Sequence, residues 1–201
     1  MKLINIQEKL QEKGPPVFSV REFAGYAGVS GTASQKLLER YSKKGFFVRL
    51  KKGLYSVKSR QPHAFVVSNS LYRPSYISFE SALSFHGLIP ETVYEVSAAT
   101  PKASRNFSAG GRAYSYHRIK GASYCGYEPA GMQGGVVYIA SPEKALVDYL
   151  YMVSLGRKAL YERLDARKVN RRKALKYASL YGRKSLMDLV DRVLSIGEVQ
   201  E

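Results

Sequence analysis

The chain has 201 residues, enough for one medium-sized domain or two small ones. Apolar residues make up 45% and charged residues 24%, which is typical of a globular protein and excludes a disordered one. The 32 lysines and arginines against 16 acidic residues give a formal net charge of +16, which favours a polyanionic partner such as nucleic acid. The single cysteine, Cys125, cannot form an internal disulfide, and no apolar stretch approaches the roughly 18 residues of a membrane span. We therefore expect a cytoplasmic protein without membrane contact.

The positive charge is concentrated at the two ends of the chain. Residues 1–60 contain 13 basic and 4 acidic side chains, a net charge of +9, and residues 156–201 contain 12 and 6, a net charge of +6. Residues 61–155, with 7 and 6, carry a net charge of only +1. We therefore predict one domain over residues 1–60 and another over 61–201, strand-rich over 61–155 and basic and helical over 156–201.

The first sixty residues carry the pattern of a winged helix-turn-helix. Apolar residues at helical spacing predict a first helix that includes Leu10 and ends at Gly14. Ser19 and Ser30 are expected to cap a second and a third helix, ending at Gly28 and near Lys44. Two β-rich runs on either side of Lys51-Lys52-Gly53 then predict a hairpin with a cationic tip, which would be the wing.

The third predicted helix has two different faces. Leu37, Leu38 and Tyr41 fall on an apolar face, with Ser34 at its margin, and the opposite face is polar and mostly cationic. Such a helix is suited to the major groove of DNA, where the amide of Gln35 can bond adenine through two hydrogen bonds. We expect Thr32 and Ser34 to position the backbone near the groove. The residues expected to contact phosphates are Lys36, Arg40, Lys43, Lys51 and Lys52.

The middle of the chain alternates between predicted helices and strands. Short helices are expected over Ala64–Leu71 and, after a cap at Ser78, over Phe79–His86. Ser141-Pro142-Glu143 is typical of a helix start, with a serine cap and a proline in the first turn. The predicted strands are Tyr94–Ala99, Ala113–Ile119 and Val136–Ala140.

The C-terminal part predicts three helices, marked by Leu160 and Leu164, by Ala174 to Tyr181 and by Leu186 to Leu194. The densest cluster of positive charge precedes the second of them. This cluster is either a solvated connection between helices or a second surface for nucleic acid, and the sequence leaves both open. Its members are Arg167, Lys168, Arg171, Arg172 and Lys173.

Some residues of the middle segment are of types found in metal-dependent nucleases: Glu80, His86, Glu143, Lys144 and Asp148. Their predicted positions at helix ends and among apolar neighbours favour structural roles. The three histidines are far apart, Cys125 has no second cysteine nearby, and no glycine-rich phosphate loop is present. We therefore expect no enzyme activity, no metal and no cofactor, with a divergent nuclease as the less favoured alternative.

Two separated motifs resemble a known family. The segment Tyr76–Glu91 (YISFESALSFHGLIPE) and the later segment Pro142–Asp148 (PEKALVD) are similar to AbiEi-type antitoxins of abortive-infection, type IV toxin–antitoxin systems. These proteins are also described as transcriptional regulators of viral defence. Lys52–Tyr55, at the end of the predicted wing, fits the same family. The resemblance covers roughly residues 1–155.

The resemblance implies an α+β protein in which an N-terminal winged helix binds inverted repeats in double-stranded DNA and represses its own operon. It further implies that the C-terminal part counteracts a nucleotidyltransferase-like toxin without a stable complex. A stand-alone winged-helix regulator, and a winged helix that binds only protein, are the alternatives that the sequence leaves open.

Overall fold

The computed structural model describes residue 10 and residues 14–198, which form seven α-helices and two β-sheets. The predicted α+β class is confirmed. Most of the predicted first helix lies outside the described residues. The helices are α1 (Val20–Ala27), α2 (Gly31–Lys43), α3 (Ala64–Leu71), α4 (Phe79–Phe85), α5 (Pro142–Ser154), α6 (Arg171–Ser179) and α7 (Lys184–Glu198). The strands are β1 (Val17–Ser19), β2 (Phe47–Lys51), β3 (Leu54–Val57), β4 (Tyr76–Ile77), β5 (Val96–Thr100), β6 (Arg105–Ala109), β7 (Arg112–Arg118), β8 (Tyr127–Met132) and β9 (Gly135–Ala140).

Leu10 and residues 14–60, here called the N-terminal unit, contain α1, α2 and an antiparallel sheet with the strand order β1-β3-β2. The two helices pack on one face of this sheet around Phe18, Phe23 and Phe47, whose rings lie 5.7–6.1 Å apart. Leu38 of α2 is fully buried in the same core. These apolar contacts hold α2 against the sheet by one side.

The predicted caps of the N-terminal unit are present. Ser19 and Glu22 form a reciprocal capping box at the start of α1, and Ser30 accepts a hydrogen bond from the Ala33 N–H at the start of α2. Gly28 ends α1 with a φ of 63°, a conformation that glycine adopts without a steric penalty. Local sequence signals therefore set both the length of α1 and the turn into α2.

Residues 61–198, here called the second unit, surround a six-stranded mixed sheet with the order β6-β7-β5-β4-β9-β8. The three predicted strands are confirmed as β5, β7 and β9. The edge strands β6 and β8 were not predicted, because most of their side chains are exposed or half-buried and their sequences lack a clear apolar alternation. β8 ends at Met132 and β9 begins at Gly135, which leaves a tight turn at Gln133-Gly134.

The predicted helix at Leu160 and Leu164 was wrong, whereas α6 and α7 confirm the other two. The phenol of Tyr149 donates to the Ala159 carbonyl at 2.6 Å and accepts from the Tyr161 N–H at 3.0 Å. These tertiary hydrogen bonds satisfy backbone groups that a helix would otherwise pair within itself. The segment between α5 and α6 is therefore irregular.

The two units contact each other through the face of the N-terminal sheet that lies opposite α1 and α2. Leu50 of β2 belongs to the core of the second unit, and Val48 and Leu54 pack against that core. A second contact joins the β8–β9 turn to the segment just after residue 60. There the His63 N–H donates to the Gln133 carbonyl at 2.9 Å. The N-terminal sheet is thus covered on both faces.

Candidate nucleic-acid interface

The outward face of α2 is exposed along its whole length. Leu38 turns into the core, while Leu37 and Tyr41 are half-buried against it. The residues on the other side are all exposed: Thr32, Gln35, Lys36, Glu39, Arg40 and Lys43. The helix is therefore held by its apolar side, and it presents five residues of the predicted interface and one acid to solvent.

Two side chains on this face already have partners within α2. The Gln35 amide donates to the Glu39 carboxylate at 3.1 Å, one turn along the helix. The Arg40 guanidinium donates to the Tyr41 phenol at 3.1 Å, and its central carbon lies 4.8 Å from the centre of that ring. Both contacts are exposed, so they orient these side chains at the surface without removing them from it.

Ser34 corrects an expectation made from the sequence. Its side chain is fully buried, and its hydroxyl has no hydrogen-bond partner among the described residues. It lies one turn before Leu38, on the side of α2 that faces the core, where the periodicity had placed it at the margin. A buried hydroxyl cannot contact a groove, so Ser34 is no longer a candidate for the interface.

The two lysines expected at the tip of the wing have different surroundings. Lys52 is exposed at the β2–β3 turn. The ammonium of Lys51 instead donates to the Leu71 carbonyl of the second unit at 2.5 Å, and it lies 5.9 Å from the centre of the Phe107 ring. Partial burial, followed by repulsion from Arg105 and Arg73, lowers the pKa of Lys51.

A β-bulge explains the position of Lys51. The register between β2 and β3 shifts between Arg49 and Lys51, so that simple alternation no longer assigns the face of Lys51. Leu50 and Lys51 both face the second unit as a result. The expectation that Lys51 contacts phosphate is therefore corrected, because its charge is engaged at the contact between the two units.

Further cations, not singled out from the sequence, are exposed on the N-terminal unit: Arg21, Lys44, Arg49 and Lys58. Arg21 follows the Ser19 cap in the first turn of α1, and Lys44 ends α2. In the sequence these cations were indicated only by the net charge of +9 over residues 1–60. A net charge does not show which cations share a surface. All four are available to solvent on the N-terminal unit.

The basic cluster before and within α6 is partly neutralised. Arg167 forms two parallel hydrogen bonds to Asp165, at 2.9 and 2.8 Å, and these lower the pKa of Asp165 to about 2. Arg171 pairs with Asp191 of α7 at 2.6 Å. The other members of the cluster are exposed: Lys168, Arg172 and Lys173.

The residues weighed for a nuclease do not converge on one site. Glu80 pairs with Lys158, and His86 bonds the Ala140 carbonyl at 2.8 Å. Glu143 lies in the first turn of α5, whose Ser141 cap accepts from the Lys144 N–H. Within the described part of the chain, no group of three or more histidine, cysteine, aspartate and glutamate side chains is placed to hold a metal ion.

Asp148 and Lys144 form a buried polar cluster. Both side chains are fully buried and paired with each other. The phenol of Tyr76 and the hydroxyl of Ser78 donate to the second carboxylate oxygen at 2.8 and 2.7 Å, and Tyr181 donates to the first. Because its hydroxyl is used here, Ser78 occupies the N-cap position of α4 without making the predicted capping bond. Every charge in the cluster has a partner, which is the arrangement of a structural core.

Among the described residues, no helix combines the length and the apolar character needed to cross a lipid bilayer.

Comparison with protein families identifies the N-terminal part of the chain. A family model described as "Transcriptional regulator, AbiEi antitoxin" matches residues 5–58, which is nearly the whole N-terminal unit. A search of curated proteins found no match. The matched range includes Lys52–Tyr55 but not the segments Tyr76–Glu91 and Pro142–Asp148 on which the predicted resemblance mainly depended. Over residues 5–58 the chain nevertheless matches the AbiEi family of antitoxins and transcriptional regulators, and the predicted family resemblance is confirmed for these residues.

Proposed function

We propose that the chain is a transcriptional regulator whose residues 1–60 form a winged helix-turn-helix domain on double-stranded DNA. The observation that carries this proposal is α2, whose apolar side is buried and whose opposite side exposes Gln35, Lys36 and Arg40. The helix α1, a three-residue turn and α2 precede a hairpin, which is the order of elements in a winged helix-turn-helix. The family match over the same residues agrees with this function.

In the proposed complex, α2 lies in the major groove and the β2–β3 turn lies beside it. Lys36, Arg40 and Lys43 contact phosphates, with Lys52 at the wing, and these contacts supply affinity without sequence choice. Gln35 reads a base through its amide, for which it must release Glu39. The cost of releasing this exposed hydrogen bond is small, because water replaces it.

We further propose that the protein represses its own operon by binding an inverted repeat, and that residues 61–201 form a second domain that counteracts a nucleotidyltransferase-like toxin. The family description supports the antitoxin and regulator classes. Two hydrophobic cores support a division near residue 60: one lies within the N-terminal unit, and the other lies mainly in the second unit, with Leu50 added from β2. The cytoplasm is the compartment in which such a protein would act.

The test of DNA binding compares two double charge reversals that change net charge equally. Lys36→Glu/Arg40→Glu alters the outward face of α2, and Arg183→Glu/Lys184→Glu alters two exposed cations at the start of α7, outside the basic cluster. Binding of the chain's own promoter DNA is measured by fluorescence anisotropy across a salt series. We expect the α2 variant to lose most of its affinity, with a salt slope lower by about 2 if both residues contact phosphates.

The control variant separates a local contact from a general effect of charge. If both variants lose the same affinity, DNA recognises the overall charge and the proposed face is wrong. If neither does, DNA does not contact the outward face of α2 and the proposed face is likewise wrong. The proposal that residues 61–201 counteract a toxin is tested by protection of cells from a toxin encoded beside this gene. We expect the α2 variant to protect these cells. The same variant should fail to repress a promoter reporter.

A further inference from the structure

The second unit contains a cavity of about 400 Å³ at the edge of its sheet, where β8 and β9 end the strand order. This volume is in the range of sites for small molecules. Three tyrosines line it, Tyr124, Tyr127 and Tyr138, together with the polar side chains of Asn69, Arg73 and Ser75. None of these residues contributes to the proposed contact between α2 and DNA.

Two buried polar groups in the wall of the cavity have no partner in the described part of the protein. Asn69 is 8% exposed and Ser75 is 6% exposed, and neither the Asn69 Nδ2 nor the Ser75 Oγ makes a hydrogen bond. The orientation of the amide is set by the Tyr138 N–H, which donates to Asn69 Oδ1 at 2.7 Å. Because a buried donor without an acceptor is costly, these groups indicate a ligand that supplies the missing hydrogen bonds.

Aromatic rings form the second feature of the cavity. The ring of Tyr127 lies 5.3 Å from that of Tyr124 and 5.7 Å from that of Tyr138, and it stacks at 4.6 Å on the buried ring of Tyr76. Tyr138 of β9 is 50% exposed. A fixed group of rings with one half-exposed member provides a surface on which a planar ring can stack.

Positive charge is the third feature. Arg73 lies at the surface, and its Nε donates to the Asn69 carbonyl at 2.9 Å, which holds the guanidinium beside the cavity. The ammonium of Lys102 donates to the Arg73 carbonyl at 2.6 Å. No acidic residue is among those that line the cavity. An anionic group at the mouth would therefore be attracted, and a guanidinium suits a phosphate.

We infer that this cavity binds a nucleobase that carries a phosphate. The base stacks on Tyr138, its ring carbonyl or nitrogen accepts from Asn69 Nδ2, Ser75 Oγ completes the hydrogen bonds, and Arg73 contacts the phosphate. A free mononucleotide and an unpaired base of a nucleic-acid strand share this chemistry.

The experiment measures binding of nucleoside 5′-monophosphates to the full chain by titration calorimetry, with matched pairs of variants. Ser75→Ala and Ser123→Ala each remove a buried hydroxyl that lacks a partner among the described residues, but Ser123 does not line the cavity. Tyr138→Ala and Tyr94→Ala each remove an exposed ring, but Tyr94 does not line the cavity. We expect Ser75→Ala to weaken binding about five- to tenfold and Tyr138→Ala about ten- to a hundredfold, with both controls unchanged.

Ribose 5-phosphate, a nucleoside and a short single-stranded oligonucleotide complete the test. Weak binding of the first two supports recognition of base and phosphate together. Binding of the oligonucleotide alone, weakened by Tyr138→Ala, assigns the site to a strand. Equal binding of ribose 5-phosphate, or equal effects within each matched pair, overturns the inference. The Lys36→Glu/Arg40→Glu variant should bind the nucleotide normally, so failure of the DNA proposal and failure of this one are distinguishable.

Discussion

The ammonium of Lys144 and the carboxylate of Asp148 lie one helical turn apart on α5 and form an ion pair in which neither side chain is exposed to solvent. The hydroxyls of Tyr76, Ser78 and Tyr181 close around the carboxylate. The cluster therefore joins β4, the start of α4 and the turn after α6 to one helix. Four predictions follow from this cluster and from the proposed interface.

Removing one partner of the buried pair should destabilise the protein strongly. We expect Lys144→Met and Asp148→Asn each to lower the free energy of unfolding by about 3–5 kcal/mol, because each leaves buried polar groups without their partner. The double variant Lys144→Met/Asp148→Asn should cost less than the sum of the two. Urea unfolding measures all three. Strictly additive losses would show that the two side chains are not coupled.

The phenols around Asp148 should not ionise until high pH. Burial, followed by the Asp148 charge, raises the pKa of both Tyr76 and Tyr181, whereas an unfolded tyrosine ionises near pH 10. A folded pKa above the unfolded one means that the stabilisation is complete below about pH 10 and is lost as the pH rises further. Absorbance titration of phenolate should show fewer ionised tyrosines in the folded protein than in urea at pH 11.

Stability measured over the same range provides the second readout. Tyr181→Phe should reduce the decline of unfolding free energy above pH 10, since one raised phenol is removed. A decline of the same steepness in this variant would contradict the assignment to Tyr181.

The two lysines at the β2–β3 turn should act on different properties. Lys51→Met removes a charge-assisted hydrogen bond to Leu71, and we expect it to lower the unfolding free energy by about 1 kcal/mol and to leave DNA affinity unchanged. Lys52→Met should leave stability unchanged and lower the salt slope of DNA binding by about 1. The reverse assignment, in which Lys51→Met weakens DNA binding, would place Lys51 back in the interface.

Two serines of α2 offer a matched comparison of stability. Ser30→Ala removes the cap on the Ala33 N–H and should cost about 1 kcal/mol. Ser34→Ala removes a buried hydroxyl without a hydrogen-bond partner among the described residues, so we expect unfolding free energy to be unchanged or slightly higher. Thermal unfolding of both variants checks this. A marked loss in Ser34→Ala, or weaker DNA binding, would show that the hydroxyl has a partner that matters.

Much of the N-terminal unit could be predicted because its signals are local. Ser19, Gly28 and Ser30 set helix ends through hydrogen bonds and backbone angles within a few residues. Helical periodicity separated Leu38 from the exposed face of α2. It placed Ser34 only at the margin of the apolar side, since periodicity gives a direction around the helix but not how far the core extends.

Features that depend on distant residues could not be predicted in the same way. The segment after α5 is irregular because Tyr149 bonds its backbone, and nothing near Leu160 in the sequence signals that contact. The cavity brings Tyr138 beside Asn69 and Ser75, which lie much earlier in the chain, and these segments meet only when β4 pairs with β9.

By itself the amino-acid order determined where most helices begin and end, which face of α2 is polar, and that both ends of the chain are basic. Only the tertiary structure decided that Lys51 bonds the second unit, that Asp148 is neutralised by Lys144, and that an aromatic cavity opens at the sheet edge. The physical reason is the distance along the chain over which each interaction acts. Caps and periodicity act within one or two turns of chain, whereas burial and pairing are properties of surfaces that distant segments form together.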